Sequence, residues 1–439
     1  MTNIIMIACI SILFFWRTTK YNYCSDDVPV FNATKDKYKD CWWKRLFFEI
    51  EGSIRVNQKR DHIITIIMHT LVCVFIYIGF GKTNISFIAA FLFMFNPANN
   101  QGSIWIAGRG YVLPTLFLLL AMAIPCLSPI FLFLTTYFHT GFFTPLMFAV
   151  SPFRWYMLFM PVIWLLWYKR FRCLVKQKVD TEMFGEDKKI HPKKLILFFK
   201  TFGYYLTLVI IPFRLSFYHS YMQSMSGNDI MKKRAYKIDK FFFIGVSAFM
   251  LMSYVIFRNP SSYISLACAW WIFGIAPYCN LFRFHQEIAE RYVYLPMVGI
   301  SFILGTVLLD YPMFMAAFLS MYATRLFTYM PAYQDDYFLS EIACLNSRDA
   351  WFSWHIRAMK RWDAKSYREA IILWVMAKNI SPHEFKVLYN IGTCLKVLRQ
   401  DKEADEFYNF AKQHIPLGQE EQINKLYEDI KKGKASIIL

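Results

Sequence analysis

Charged side chains are scarce in this sequence. Asp, Glu, Lys and Arg make up 18% of its 439 residues, whereas a soluble domain usually carries about 25%. Aromatic residues reach 19% and hydrophobic residues 56%. This composition excludes a disordered chain, a collagen and an ordinary cytosolic enzyme. It indicates a polytopic membrane protein.

The sequence also has no CxxC motif and no Cys/His cluster with zinc-ligand spacing, although it contains ten cysteines. It therefore predicts neither a zinc site nor a disulfide framework. Cys24 and Cys41 share one extramembrane loop, and they can pair if that loop faces an oxidising compartment. Four other cysteines lie in apolar runs and are interpreted as small core residues: Cys9, Cys73, Cys126 and Cys268.

Basic residues outnumber acidic ones by 49 to 31, and the net charge of +18 falls almost entirely before residue 328. Each cation near an anionic leaflet contributes about 1 kcal/mol of attraction. A basic membrane body therefore favours anionic lipid head groups or a phosphate-bearing substrate. No stripe of Lys and Arg alternates with aromatic residues on a soluble module, so nucleic acid is not expected as a partner.

Hydropathy divides the chain into a membrane-embedded helical body, residues 1–327, and a polar helical tail, residues 328–439. A membrane-spanning helix needs about 20 apolar residues. The first run has no basic leader and no small-residue cleavage site, so we interpret it as a retained helix. The sequence thus predicts an all-α, GT-C-like body of about 11 transmembrane helices, near residues 3–16, 62–80, 84–98, 111–124, 129–149, 154–168, 197–212, 241–257, 262–279, 292–309 and 311–327.

The most basic compact loop, residues 169–196, sets the expected orientation. The positive-inside rule places this loop in the cytoplasm and the N-terminus on the same side. Four loops then face outward together with the tail: 17–61, 99–110, 213–240 and 280–291. A second basic group on the predicted outer side opposes this orientation: Lys232, Lys233, Arg234, Lys237 and Lys240.

The tail has an internal period of 34 residues, which is typical of tetratricopeptide repeats. Small residues at matching positions allow two helices to approach closely, and large residues fill the space to the next pair. Two units are too few to bury a continuous core, so helices near 334–345 and 419–432 are expected to cap the stack. The alternative is an unrelated helical hairpin. The matching pairs are Trp354 and Leu388, Ala358 and Gly392, Ala370 and Ala404, Trp374 and Tyr408, Ala377 and Ala411, and Pro382 and Pro416.

Paired carboxylates follow the first predicted crossing. Asp26 and Asp27 can act as a general base or ligate a divalent cation. One carboxylate raises the proton affinity of its neighbour, which suits a group that accepts a proton near neutral pH. The alternative is a solvated loop turn.

Three further polar clusters map to the predicted outer face. Amides can read sugar hydroxyls, and an arginine flanked by glycines, as in Gly108-Arg109-Gly110, can approach a phosphate closely. The alternatives are a polar interhelical turn, side chains that snorkel to the interface, and a structural ion pair of Glu290 with Arg291. The candidate residues for binding a sugar or phosphate are Asn96, Asn99, Gln101, Arg109, Arg214, His219, Glu290, Arg291 and Tyr292.

The order of these motifs resembles that of a known family. Asp26-Asp27 after the first helix, Asn96-Pro97 leading to Gly108-Arg109, the run Glu290-Arg291-Tyr292-Val293-Tyr294-Leu295-Pro296, and then tetratricopeptide repeats resemble the transmembrane and tetratricopeptide-repeat O-mannosyltransferases and their bacterial relatives. The resemblance implies a GT-C-type glycosyltransferase that uses a polyprenyl-phosphate-linked sugar. It also implies repeats on the lumenal or periplasmic side.

This chain departs from the family pattern at two places. Animal relatives carry a His-Pro start and a downstream Glu in the second outer loop, where this chain has Asn96-Pro97 and Gln101. A Lys-Glu pair expected in a later helix is replaced around Phe138-His139. The identities of the sugar and of the acceptor therefore stay open.

The expected reaction is transfer of a sugar from a polyprenyl phosphate to a hydroxyl, on a protein Ser/Thr or on a glycan. Asp26 or Asp27 would take the acceptor proton, and Arg291, with Arg109 or Arg214, would stabilise the departing phosphate. A concave repeat surface commonly binds an extended peptide, so the repeats are expected to present a protein acceptor or recruit a partner protein. The alternative function is a noncatalytic membrane scaffold whose repeats assemble other proteins.

Overall fold

The computed structural model describes residues 1–25, 27, 57–136, 138, 144–150, 152–165, 192–219, 221–222, 229–280, 287–415, 428 and 437. This part of the chain is helical throughout and contains no β-strand, which confirms the predicted all-α class. Two compact units are present. The first comprises Met1–Leu215 and Lys237–Asp335, and the second comprises Ser216–Tyr236 and Asp336–Leu439. The second unit therefore starts later than the boundary predicted at residue 328, and it also takes in a segment from inside the predicted membrane body.

The first unit is built from apolar helices. These are α1 (Thr2–Phe15), α2 (Gln58–Gly79), α3 (Asn84–Phe95), the single turn α4 (Asn100–Ser103), α5 (Arg109–Ala123), α6 (Ser128–Thr136), α7 (Pro192–Ile210), α9 (Lys240–Arg258), α10 (Tyr263–Ile275), α11 (Met297–Leu308) and α12 (Pro312–Tyr329). Helix α8 (Asp229–Tyr236) belongs to the second unit. Most of these helices coincide with predicted apolar runs.

Four helical segments are long and apolar enough to cross a membrane: Thr2–Lys20, Gln58–Gly79, Ile106–Ala123 and Lys233–Arg258. Four more apolar helices of the described part are shorter. Much of the predicted runs 129–149 and 154–168 lies outside helices of that length or outside the described residues. The structure thus supports a membrane protein, and the count of eleven crossings stays a prediction.

Helix α2 lies at the centre of the first unit, where it packs against α1, α3 and α5. Polar contacts inside this apolar bundle fix the pairing of helices. Ser11 of α1 and Thr70 of α2 share a buried hydrogen bond of 2.8 Å. Such a bond satisfies both hydroxyls where no water is present to do so.

Helices α7 and α9 form the most extensive pair in this unit, and glycines allow their close approach. A Cβ atom added at Gly203 would lie 2.0 Å from the carbonyl oxygen of Phe241, and one added at Gly245 would lie 1.8 Å from that of Phe199. A buried ion pair joins the same helices: Lys200 Nζ lies 2.9 Å from Asp239 Oδ2. Asp239 also caps the first turn of α9 by accepting from the backbone N–H of Phe241.

Many apolar side chains of the first unit point outward, as expected for helices that face lipid. On α9, the exposed residues include Phe243, Met250, Leu251, Tyr254 and Phe257. Cys9 and Cys126 are also exposed, whereas Cys73 and Cys268 are buried. The assignment of all four cysteines to the core is therefore wrong for Cys9 and Cys126, because an apolar run in a membrane helix covers its lipid-facing side as well as its core side.

The second unit is a row of antiparallel helices that pack in chain order: α13 (Asp336–Asn346), α14 (Trp351–Asp363), α15 (Tyr367–Ile380), α16 (Phe385–Val397) and α17 (Asp401–Lys412). Helices α14 and α16 begin and end 34 residues apart, and α15 and α17 also begin 34 residues apart. The turn inside each pair has one non-glycine residue with positive φ, Lys365 at 60° and Arg399 at 62°. The predicted period is thus present in the backbone.

Side-chain packing follows the same period. Ala358, Ala370, Trp374 and Ala377 in the first pair are buried, as are their counterparts in the second pair. A Cβ atom added at Gly392 would lie 2.8 Å from the ring of Tyr408, so the two helices of the second pair meet where the sequence has its smallest residue. Of the predicted caps, α13 is observed, and the segment 419–432 lies outside the described residues apart from residue 428.

Candidate functional site

The segment between α3 and α5 forms the floor of the candidate site. It folds into three short helices, Pro97–Asn99, α4 and Ile106–Gly108. The sequence predicts a polar loop at the outer face, but Asn96, Asn99, Asn100 and Gln101 are all fully buried or nearly so. Buried amides are costly unless they are hydrogen-bonded, so each contact of this loop is informative.

Two of the candidate amides bind neighbouring backbone. Asn96 donates to the carbonyl of Val209 at the end of α7 (2.8 Å) and accepts from the N–H of Ala98 (2.9 Å). Asn99 donates to the carbonyl of Phe93 in α3 (2.8 Å). Both side chains therefore hold the loop against helix ends, which the sequence assigned to sugar binding.

Gln101 lies beside Arg291. Its Oε1 accepts from the backbone N–H of Arg291 (3.3 Å) and from Nη1 of the same residue (3.4 Å). Arg291 Nε donates to the hydroxyl of Tyr111 (3.1 Å), and its guanidinium lies 6.0 Å from the ring centre of Trp105. Arg291 is only partly buried, so these contacts orient a guanidinium that still reaches the surface of the unit.

The other end of the Gln101 amide is different. Gln101 is 0% exposed, and its Nε2 has no hydrogen-bond partner within the residues that the structure describes. An unmade hydrogen bond at a buried donor costs about 1–3 kcal/mol. A donor left in this state next to a guanidinium suits a ligand with acceptor oxygens.

Glu290 faces a different set of groups from its neighbour Arg291. It is fully buried and accepts a short hydrogen bond from Asn100 Nδ2. Asn100 Oδ1 in turn accepts from the hydroxyl of Tyr333. Burial raises the pKa of Tyr333 well above its ordinary value, and the nearby Tyr329 and Glu290 act in the same direction. The phenol therefore stays protonated and donates along this chain.

Tyr292 and Tyr205 position the helical turn Glu290–Val293. The ring of Tyr292 stacks on Tyr278 with 4.2 Å between ring centres and 10° between planes. The hydroxyl of Tyr205 in α7 accepts from the backbone N–H of Ala289 (3.1 Å). Both contacts fix the turn against helices of the bundle, so Tyr292 acts here as a packing residue.

Asp27 lies against the same floor. Its Oδ2 accepts from the N–H of Cys24 (3.0 Å), and its Oδ1 accepts from the N–H of Ala107 (2.8 Å). Trp105 Nε1 donates to the carbonyl of Cys24 (3.3 Å). Trp105 therefore contacts the Asp27 turn and also lies near Arg291. Asp26 and Cys41 lie outside the described residues.

Arg109 has a structural environment. Its side chain is fully buried, with Nε donating to Thr65 (3.0 Å), Nη2 donating to the carbonyl of Asp61, and an ion pair to the Asp61 carboxylate at 3.8 Å. Gly108 does not free this arginine for a ligand. A Cβ at Gly108 would lie 1.8 Å from the carbonyl of Gln101, so the glycine is needed for packing inside the loop.

The two remaining candidates lie apart from this arrangement. Arg214 follows α7 as an exposed side chain of the first unit. His219 belongs to the second unit. The contacts of the first unit thus bring together three of the predicted clusters: Asp27, the loop 96–111 and the turn 290–293.

Sequence reasoning missed His69, which lies fully buried in α2. Its Nδ1 is 2.7 Å from the hydroxyl of Tyr294, three residues beyond Arg291. A histidine inside an apolar run of a membrane helix was the available signal, because such residues usually carry a specific contact.

A divalent cation would need several ligands close together. Across the described part of the chain, no group of three or more His, Cys, Asp or Glu side chains is arranged to hold a metal ion. Asp27 is the described member of the predicted acidic pair, and its two carboxylate oxygens accept backbone N–H groups. The metal hypothesis therefore has no ligand set in this part of the structure.

Comparison with protein-family models, with curated proteins and with solved structures finds no match to this chain.

Proposed function

We propose that this chain is a GT-C-type membrane glycosyltransferase related to the transmembrane and tetratricopeptide-repeat O-mannosyltransferases. It would move one sugar from a polyprenyl phosphate to a hydroxyl of a protein or glycan acceptor. The observation that carries the proposal is the buried Gln101, which holds Arg291 through its oxygen and leaves its Nε2 donor without a partner among the described residues. A phosphate oxygen fits between such a donor and a guanidinium.

The proposed reaction is a single displacement at the anomeric carbon. Asp27 takes the proton of the acceptor hydroxyl, whose oxygen forms the new bond to that carbon. The bond from the carbon to the phosphate oxygen breaks, and polyprenyl phosphate leaves with the electron pair. Asp27 suits the first role because two backbone N–H groups fix its carboxylate; Asp26 is the alternative base.

Arg291 is assigned to the leaving phosphate. Its contacts with Gln101 and Tyr111 hold the guanidinium in one orientation before a ligand arrives. Preorganised donors of this kind stabilise developing charge more than mobile ones do, and losing one costs about 10²–10³-fold in rate. Arg109 is not assigned this role, because Asp61 and Thr65 already surround its guanidinium.

We further assign α14–α15 and α16–α17 to two tetratricopeptide repeats, on their 34-residue offset and repeated turn geometry. In this proposal the first unit is a multi-pass body with about 11 crossings, in a bacterial inner membrane or in the endoplasmic reticulum. The repeats, Asp27 and Arg291 lie on the non-cytoplasmic side.

The test is sugar transfer in membranes that contain the full chain and a radiolabelled polyprenyl-phosphate sugar. Asp27→Asn should lower transfer about 10²–10⁴-fold, the usual contribution of a general base. Arg291→Lys should lower it about 10²-fold, because lysine keeps the charge and loses the planar pair of donors. Asp310→Asn, at an exposed carboxylate of the same unit, is the matched control and should transfer normally.

A noncatalytic scaffold is the competing function, and one observation favours it. Asp27 and Arg109, two residues predicted to do chemistry, both hold local structure. A scaffold predicts no transfer by the wild-type chain with any polyprenyl-phosphate sugar. Wild-type transfer that survives in Asp27→Asn and Asp26→Asn would instead remove the carboxylates from the mechanism.

A further inference from the structure

The segment Ser216–Tyr236 leaves the first unit after α7 and returns to it before α9, yet it folds with the helices of the second unit. Its apolar residues are well buried: Phe217 is 2% exposed and Met222 is 1% exposed. A connecting loop of this length is usually exposed. Its burial indicates a specific binding surface.

The clearest apolar contact lies at the start of α14. The ring of Tyr218 packs edge-on against Phe352, with 4.8 Å between ring centres. Phe352 in turn stacks on His355, one turn further along the same helix, at 5.7 Å. Tyr218 is 9% exposed, so its aromatic ring is largely removed from solvent.

A charged contact fixes the other end of the segment. Arg234 Nη1 lies 3.0 Å from Asp349 Oδ2, just before α14. The guanidinium also lies 5.9 Å from the ring centre of Tyr221. Both members of the ion pair are partly exposed, so the pair sets direction and register more than strength.

Exposure differs sharply between the helices of the repeats. Helices α15 and α17 each have an exposed side, whereas no residue from Trp351 to Trp362 in α14, or from Phe385 to Lys396 in α16, is exposed. Ile437, near the end of the chain, also packs against this core. The first helices of helical repeats usually supply the surface that binds an extended peptide, and here that surface is covered.

We infer that α14, the first helix of the first repeat, is an intramolecular receptor for residues 216–236. The repeats therefore hold the connection between α7 and α9 and do not present an external acceptor peptide on this surface. The consequence for activity rests on the proposed glycosyltransferase function. Since Arg214 precedes Ser216 by two residues, release of the segment also frees the backbone at a candidate phosphate-binding arginine.

Hydrogen exchange of the purified full chain in detergent tests the receptor without any activity assay. Tyr218→Ala should speed exchange of the α8 amides at least tenfold and leave those of α15 unchanged. Met376→Ala, at an exposed position of α15, is the control and should leave α8 unchanged. Unchanged exchange of α8 in Tyr218→Ala, or an equal increase over all helices of the unit, would overturn the inference.

Charge reversal provides a second variant that keeps the aromatic contact. Arg234→Asp and Asp349→Arg should each speed exchange of α8, and the double variant should restore the wild-type rate. A double variant no slower than either single change would contradict a direct contact.

Transfer assays then separate this inference from the proposed function. Tyr218→Ala should lower transfer to protein and small glycan acceptors by the same factor. Loss confined to the protein acceptor would overturn the inference and restore acceptor presentation by the repeats. No transfer by the wild-type chain would defeat the proposed function, while the exchange result would still decide the receptor.

Discussion

The Arg109 side chain offers the sharpest separation between a structural arginine and a ligand-binding one. Arg109 and Asp61 are both fully buried and pair at 3.8 Å, and Arg109 also donates to Thr65. Arg109→Met keeps much of the side-chain volume and removes the charge. It leaves the Asp61 carboxylate buried without its arginine partner.

The expected cost can be worked from the contacts that remain. Removing one member of a buried ion pair destabilises a protein by about 3–5 kcal/mol. Asp61 keeps the hydroxyl of Tyr23 at 2.7 Å and the half-exposed Arg60 at 3.3 Å. We therefore expect a loss near the lower end, about 3 kcal/mol, and we expect Asp61→Asn to recover part of it in the double variant.

The assay is reversible unfolding of the full chain in mixed micelles of non-ionic detergent and sodium dodecyl sulfate. A double-mutant cycle of Arg109→Met and Asp61→Asn should give a coupling energy of about 1–3 kcal/mol. Arg291→Met is the matched comparison, because it removes an arginine that is only partly buried; it should cost about 1 kcal/mol and abolish most transfer. Wild-type stability of Arg109→Met together with lost transfer would refute this reasoning and return Arg109 to the donor site.

Two further predictions concern packing and pH. Gly203→Ala places a methyl group 2.0 Å from the carbonyl of Phe241, so it should destabilise the first unit by about 1–3 kcal/mol, whereas Gly110→Ala, with no atom within 4 Å, should not; equal unfolding midpoints in the same micelles would contradict this. Burial, reinforced by a nearby lysine, lowers the pKa of His355 to about 3, so below about pH 6.5 only the unfolded chain gains this proton, and stability falls by about 3 kcal/mol between pH 7 and 4.5. His355→Gln keeps an acceptor for Trp374 and should lose this dependence in unfolding measured at both pH values; an unchanged pH dependence would exclude His355 as its source.

Periodic patterns in the sequence predicted the fold well. The 34-residue offset placed Ala358 and Trp374 on matching positions, and the structure has their helices at that offset. Apolar runs likewise located most helices of the first unit. These features were predictable because they depend on the spacing of residue types along one helix.

The candidate site was less predictable. Sequence reasoning placed Asn96 and Arg109 at an open outer surface, whereas the structure buries both. Polarity in a loop indicates only that the side chains need partners, and it does not say whether backbone, another side chain or a ligand supplies them. The partner of Arg109 lies 48 residues earlier, at Asp61, and no local pattern specifies a contact over that distance.

Burial also explains why the four amides of the loop have unequal value as functional evidence. Asn96, Asn99 and Asn100 donate to backbone carbonyls or to Glu290, so the fold alone accounts for their donors. Gln101 spends only its oxygen on the protein, through Arg291, although replacing it by an apolar residue of similar size would remove an unsatisfied donor at little cost to packing. A scaffold gives no physical reason to keep that donor, whereas an enzyme that binds a sugar phosphate beside Arg291 does.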